Sequence, residues 1–194
     1  MLGDISAKYE SGNKGFEAIS SIPNDPGGAS YGKYQLSSKT GTLTAFLREF
    51  DYEKDFEGAK PGTSEFNQKW VSKVKADKDF CTAQWQYIRN TKFQPIANHA
   101  YVELHFPKCA AVDELLWSLS VQHGRWAVIL QRVAKKSDPR AMTQEEAIKR
   151  IMDERVLYVN NLKSLDQPIK NALNKRYRLE LTDLLLLEAQ HDHG

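Results

Sequence analysis

From residue 42 onward, apolar side chains recur steadily at intervals of three and four. Leu43, Phe46, Leu47 and Phe50 predict an amphipathic helix. Phe66, Trp70, Val71 and Val74 predict a second, behind Ser64 as its cap. Phe80, Trp85, Ile88 and Ile96 predict a third, which Pro95 should bend or end. Leu115, Leu116, Leu119 and Val121 lead to Gly124, and Trp126, Ile129, Leu130 and Val133 follow it. Thr143 with Glu146 has the spacing of a capping box, opening a helix with Ile148, Ile151, Met152 and Val156. A last helix begins after Asp166 and carries Ile169, Leu173, Tyr177 and Leu181. These stripes are read as core. Near the start, Ile5 and Tyr9 suggest a short helix that reaches Glu10 and stops at Gly12. Residues 12–42 are rich in Gly, Ser, Pro and Asn, which excludes a long helix there. Within them, Ala29 to Leu36 suits a short β-hairpin. A loop-rich segment of this length is more than a connection, and such segments are usually functional.

Composition narrows the picture. A chain of 194 residues is one large domain, or one domain split into two lobes by a cleft. The 41% hydrophobic share, with four Trp, eight Tyr and eight Phe, supplies a core and excludes disorder. The 27 basic residues nearly cancel 25 acidic ones, for a net charge of +2, so no nucleic-acid footprint is present. The longest apolar run is Leu184 to Leu187, far short of the roughly 20 residues of a membrane span. The opening Met1-Leu2-Gly3-Asp4 has neither the basic flank nor the apolar centre of a signal peptide. Work outside the cytoplasm would then require a holin, a secretion machine or a longer polypeptide as carrier. Cys81 and Cys109 do not make a disulfide framework and are read as buried thiols.

The candidate chemistry lies in Tyr9-Glu10-Ser11-Gly12 and in the run from Asn24 to Ser37. Cleavage of a glycosidic bond commonly uses two carboxyls, one protonated to release the leaving oxygen and one ionised. Their surroundings must differ for the two to titrate apart. Glu10, beside Tyr9 and near Phe16, has an apolar setting that favours the protonated form. Asp25 precedes Pro26 in a Pro-Gly-Gly turn, an extended and solvated setting that favours the ionised form. Gly27, Gly28 and Gly32 would let a sugar ring approach the backbone, and Ser30, Tyr31, Tyr34 and Gln35 offer hydroxyls, an amide and flat faces. Each has a bland rival. Asp before Pro-Gly is a common turn former, Glu17 reads as a surface charge, and Gln35 either binds sugar or ties the hairpin to a helix. His123 before Gly124 reads as a helix-end residue bonding backbone carbonyls, and Arg155 as one half of a surface ion pair. His99, His105 and Cys109 lack the ligand spacing of a zinc site, and the His191-Asp192-His193 tail reads as frayed.

At Glu10-Ser11-Gly12 and Tyr31-Gly32-Lys33-Tyr34-Gln35-Leu36 the chain resembles the lysozyme-like glycan hydrolases, which include phage lysozymes, lytic transglycosylases and chitosanases. The string from Asp25 to Gln35 is similar to phage endolysins and to the C-terminal muramidase extension of VgrG-type spike proteins of type VI secretion systems. Ser120-Val121-Gln122-His123-Gly124 and Arg176-Tyr177-Arg178-Leu179-Glu180 also look like that group. The resemblance is specific over residues 9 to 38. It implies an all-α fold with a small β-hairpin, lysozyme-like or chitosanase-like, with two lobes around a cleft, as a single domain over residues 1–194 from a longer effector. It implies a hydrolase cutting the β-1,4 bond of peptidoglycan without a cofactor or metal, with Glu10 as acid and Asp25 as second carboxylate. Gly28, Ser30, Tyr31, Tyr34, Gln35 and Gln122 become the substrate-binding candidates. It further implies action in the periplasm of target bacteria, and a cognate periplasmic immunity protein that inserts a loop between Glu10 and the hairpin. A phage endolysin, a transglycosylase using Glu10 alone, a chitosanase and a non-catalytic wall-binding module remain alternatives.

Overall fold

The computed structural model of the chain describes residues 2–10, 15–20 and 28–191; for Glu10 and His191 only the backbone is described. The protein is mostly helical with one small antiparallel sheet, as the hydrophobic spacing predicts. It divides into two compact units, Ala7–Asn90 and Met1–Ser6 with Thr91–Gly194.

In the unit of residues 7–90, helix α1 (Asp4–Glu10) supplies its last residues, and a 3₁₀ turn (Gly15–Glu17) leads into strand β1 (Ile19–Ser20). Strands β2 (Ser30–Tyr31) and β3 (Leu36–Ser37) complete the sheet in the order β1-β2-β3, one strand more than the hairpin expected. Helices α2 (Thr42–Glu49), α3 (Ser64–Ala76) and α4 (Lys78–Ile88) follow. The cap of α3 is Thr63 rather than Ser64: its hydroxyl accepts the Phe66 N–H at 3.3 Å. Asp77 caps α4 by accepting from Asp79 and Phe80. The apolar faces meet in an aromatic core. Phe46, Phe66, Trp70 and Phe80 are buried there, with the Trp70 and Phe80 rings 4.9 Å apart. Edge-to-face rings of this kind add about 0.5–1.5 kcal/mol per pair beyond burial.

In the second unit, Pro95 does not end its helix. It sits in the first turn of α5 (Gln94–Asn98), preceded by a π-helical stretch (Arg89–Phe93) and followed by another (His99–Glu103). The wider turn ahead of the proline accommodates the ring, and the helical path continues. Helices α6 (Ala110–Gln122), α7 (Trp126–Lys136), α8 (Gln144–Asn160) and α9 (Gln167–His191) complete the unit. The Thr143–Glu146 capping box is present in both directions, and Asp166 accepts from the Ile169 N–H. The face of α9 that is buried runs through Tyr177, Glu180 and Leu184; Ile169 is 47% exposed and Leu173 and Leu181 are half-buried, so of the expected stripe only Tyr177 is core. Both cysteines are free thiols, half-buried, and Cys109 caps α6.

A charge stands in the middle of this second core. Arg155 on α8 is fully buried, not a surface residue. Its guanidinium donates to Glu180 Oε1 at 3.0 Å, Ser118 Oγ at 3.0 Å, His123 Nε2 at 3.2 Å and Gln122 Oε1. It also lies 4.2 Å from the centroid of the Tyr177 ring, a cation–π distance. His123 does end α6, with its backbone N–H on Leu119 O, but its side chain is a buried acceptor within this cluster rather than a donor to carbonyls. Because Nε2 accepts from Arg155, the ring is neutral. Burial, and then the charges of Arg155 and Arg176, push its pKa down to about 3.

This makes stability pH-dependent with a definite sign. The unfolded imidazole titrates near 6.5 and the folded one far lower, so between these limits the unfolded state binds more protons. The contribution is complete above pH 6.5 and is lost as the pH falls towards about 3. The unfolding free energy from urea denaturation should fall from pH 7 to pH 4 with a slope of up to roughly 1.4 kcal/mol per unit, and His123→Gln should flatten that slope. Equal slopes in the two proteins would refute the buried neutral histidine.

Candidate active site

Glu10 is the final residue of α1. That helix is held at its other end by a buried carboxylate: Glu114 Oε1 accepts the Gly3 N–H at 2.7 Å and Oε2 the Ile5 N–H at 3.2 Å. A negative group at a helix N-terminus complements the unpaired amides and the dipole. Gly3, at φ +93°, lies so close to Trp117 that an added Cβ would stand 2.6 Å from the indole. The start of α1 is thus fixed by both charge and shape. Asp25 falls between β1 and β2 in the chain and, with Ser11 to Lys14 and Ser21 to Gly27, lies outside the described residues.

The remaining motif residues build a frame. Ile19 faces Tyr31 and Ser20 faces Ser30 across β1 and β2; Ser30 faces Ser37 and Tyr31 faces Leu36 across β2 and β3. Tyr31 is fully buried, with its ring 4.9 Å from that of Phe66 and 5.2 Å from that of Trp70. Its hydroxyl accepts the Gly62 N–H at 2.6 Å and donates to Asn67 Oδ1 at 2.7 Å. Burial raises its pKa above the usual tyrosine value. The ring and hydroxyl serve packing, and no face is left for a ligand.

The turn after β2 needs Gly32. Its N–H donates to Ala18 O at 2.7 Å, its φ is +76°, and a Cβ would stand 2.1 Å from Gln84 Oε1. Gln35, also at positive φ, ties the turn to the neighbouring strand: Ser20 Oγ donates to its Oε1 at 2.7 Å and its Nε2 donates to Gly32 O at 3.0 Å. It joins parts of the sheet, not the sheet to a helix. Tyr34 is buried, with its ring edge-on to Phe16 at 6.2 Å, and Lys33 lies over both rings. Gly28, at φ +69°, lies where a Cβ would meet Ser38 Oγ at 2.6 Å. Ser30 is half-buried on β2. The structure therefore gathers Gly28, Ser30, Tyr31, Tyr34 and Gln35 into one small scaffold. Gln122 belongs to the second unit, where Arg155 and Tyr177 both donate to its Oε1.

Over residues 2–181 the chain matches the family described as "Type VI secretion system spike protein VgrG3-like, C-terminal". It belongs to that family. It is also 32% identical, over 190 residues, to the type VI secretion system spike protein VgrG3 of Vibrio cholerae serotype O1 (strain ATCC 39315 / El Tor Inaba N16961). That similarity covers 96% of this chain but 19% of the Vibrio protein, so the chain spans about a fifth of that relative's length. Among the described residues, no helix is long and apolar enough to cross a membrane.

Asn67 in this frame and Glu180 in the Arg155 cluster both escaped the sequence pattern. Asn67 was hidden because a polar residue between Phe66 and Gln68 on a surface helix carries no signal of its own. The Arg155 cluster had one: Glu180 sits three residues from Tyr177 and four from Leu184, a carboxylate inside an apolar stripe.

Gly32→Ala should cost about 2–5 kcal/mol, from left-handed backbone strain together with overpacking against Gln84 and Trp70. Gly58→Ala, at φ +80° with nothing within 4 Å of a new Cβ, isolates the strain and should cost about 1–2 kcal/mol. Urea denaturation of both variants checks the difference. Equal losses would mean that close packing beneath Gly32 is unimportant.

Proposed function

We propose that the chain is a peptidoglycan hydrolase, a muramidase-like C-terminal domain of a type VI secretion spike protein that acts in the periplasm of target bacteria. The observation that carries the reading is the position of Glu10. It ends α1, inside the same compact unit as the sheet and glycine turn, in a chain matched to the spike family over nearly its whole length. The C-terminal end of a helix bears partial negative charge, which disfavours an ionised carboxylate and suits a proton donor.

In this reading Glu10 protonates the glycosidic oxygen as the bond to the anomeric carbon breaks. Asp25, ionised, steadies the oxocarbenium-like charge or takes a proton from the attacking water. The frame around Gly32 would hold the sugar-facing backbone in one conformation, and the half-buried Ser30 hydroxyl is the candidate polar contact. Neither step calls for a cofactor. A producing cell would need protection, and a cognate immunity protein that occludes Glu10 and the Asp25 to Gln35 segment is the simplest form of it.

Glu10→Gln and Asp25→Asn preserve side-chain shape and remove the proton donor and the charge, respectively. Each should lower wall hydrolysis by about a hundredfold or more with an unchanged circular dichroism spectrum. Turbidity loss on purified walls, with mass spectrometry of the products, is the measurement, and reducing ends are expected. Near-normal lysis by Glu10→Gln would refute the assignment of the acid. Anhydro ends from a still-active Asp25→Asn would convert the reading to a one-carboxylate transglycosylase.

A further inference from the structure

A shallow groove of about 520 Å³ runs along α3 beside β1, lined by Ile19, Ser64, Asn67, Gln68, Val71 and Ser72. The α3 members recur at three- and four-residue steps, so they share one helix face over a rise of roughly 12 Å. Ser64, Gln68 and Ser72 are exposed, and Ile19, Asn67 and Val71 half-exposed. Among the described residues, no ionised side chain lines the groove, although 27% of the chain is charged. Its volume is within the usual range of ligand sites, and its chemistry is hydroxyl, carboxamide and methyl.

Two of the carboxamides have assigned orientations. The Tyr31 hydroxyl already accepts from the Gly62 N–H, so its single proton goes to Asn67 Oδ1. This fixes the Asn67 amide and leaves its two Nδ2 protons for the groove, since no described residue takes them. Gln68 Nε2 reaches Ser64 Oγ at 3.4 Å, which leaves Gln68 Oε1 as an acceptor. Adjacent residues on one face thus present a donor pair and an acceptor, with the Ile19 and Val71 side chains alongside. That set complements a secondary amide: the donor meets C=O, the acceptor meets N–H, and the aliphatic side chains meet a methyl group.

We infer that this groove is an accessory binding site for N-acetylated amino sugars, taking the acetamido group between Asn67 and Gln68. The choice of a glycan over a peptide, whose backbone offers the same amide, rests on the proposed action on wall glycan. The hydroxyls of Ser64 and Ser72 at the two ends of the face suit the ring hydroxyls of a saccharide. The groove uses none of the residues assigned to bond cleavage. It would hold the polymer while the cutting site works, and extend residence on a long glycan by coupling two weak contacts.

The test uses the full chain with Glu10→Gln, which blocks turnover, and ¹H–¹⁵N spectra titrated with tetra-N-acetylchitotetraose. The side-chain amide signals of Asn67 and Gln68, and the backbone signals of residues 64–72, should shift. Asn67→Asp keeps the acceptor for Tyr31 and removes the donors, so it should melt at the same temperature and bind about tenfold more weakly. The fully deacetylated tetramer should not shift these signals. Unchanged affinity in Asn67→Asp, equal binding of the deacetylated sugar, or shifts only outside residues 64–72 would overturn the inference. So would a response of these signals to a wall stem peptide in place of the sugar. Failure of the two readings is distinguishable. A wild-type chain that cuts walls but shows no acetamido-dependent shift loses the groove alone, and one that shows the shift without cutting walls loses the hydrolase alone.

Discussion

The sheet that carries the glycine-rich motif has strands of two residues each, and so little hydrogen bonding cannot hold three strands together in water. What holds it is the side chain of Tyr31. The ring is sunk against Phe66 and Trp70, and the hydroxyl bridges the Gly62 amide to Asn67, so β2 is fastened to α3 through one residue. A buried phenol with an unmet hydroxyl would cost about 1–3 kcal/mol, and both partners are present. With β2 anchored, β1 and β3 have a template, and Gln35 can close the turn against Ser20. Trp70, itself fully buried, adds a second fastening by donating from Nε1 to Phe16 O at 2.9 Å.

The second unit depends on a different kind of constraint. An arginine with no exposure would be prohibitively costly alone, and every face of Arg155 is met: a carboxylate, a hydroxyl, an amide, an imidazole and an aromatic ring. Arg155 stands on α8 and these partners come from α6, the residue that ends it and α9, so the cluster fixes how those helices pack against one another. Apolar side chains could fill the same volume in several arrangements. A guanidinium with directed bonds tolerates few, and this gives the core register at a cost in desolvation.

Helices were legible because their signals are local. The three- and four-residue spacing, the Thr143–Glu146 box and the glycine-rich break before residue 42 each need only a short window, and each has its counterpart in the structure. The same local reading put the hairpin at Ala29 to Leu36 and left out β1, whose two residues show no alternation to detect. It put the α3 cap on Ser64 when Thr63, one residue earlier, has the extended backbone that a cap requires. It offered an end at Pro95 as one outcome, because a π-turn ahead of a proline has no signature in residue types. Arg155 and His123 were misplaced for a deeper reason. Whether a charge is buried depends on partners 25 to 37 residues away, and spacing along one helix carries no information about them.

The motif itself shows why residue types in a functional-looking segment cannot be read one by one as ligand contacts. Tyr31, Gly32, Tyr34 and Gln35 look like a sugar-binding set, yet Tyr31 is buried with its hydroxyl bridged, Gly32 is required by a close approach, and Gln35 spends its amide on Ser20 and Gly32. They are constrained because the scaffold needs them, and a scaffold this small leaves little tolerance. The proposed reaction assigns the chemistry to Glu10 and Asp25 instead, and among the described motif residues Ser30 stays half-buried on β2. Asn67 joins the two roles. By accepting the Tyr31 proton it completes the fastening of the sheet, and in the inferred site its amide donors meet the ligand. Orientation is thus transmitted from a buried phenol to a half-exposed amide across one hydrogen bond, without any further residue dedicated to it.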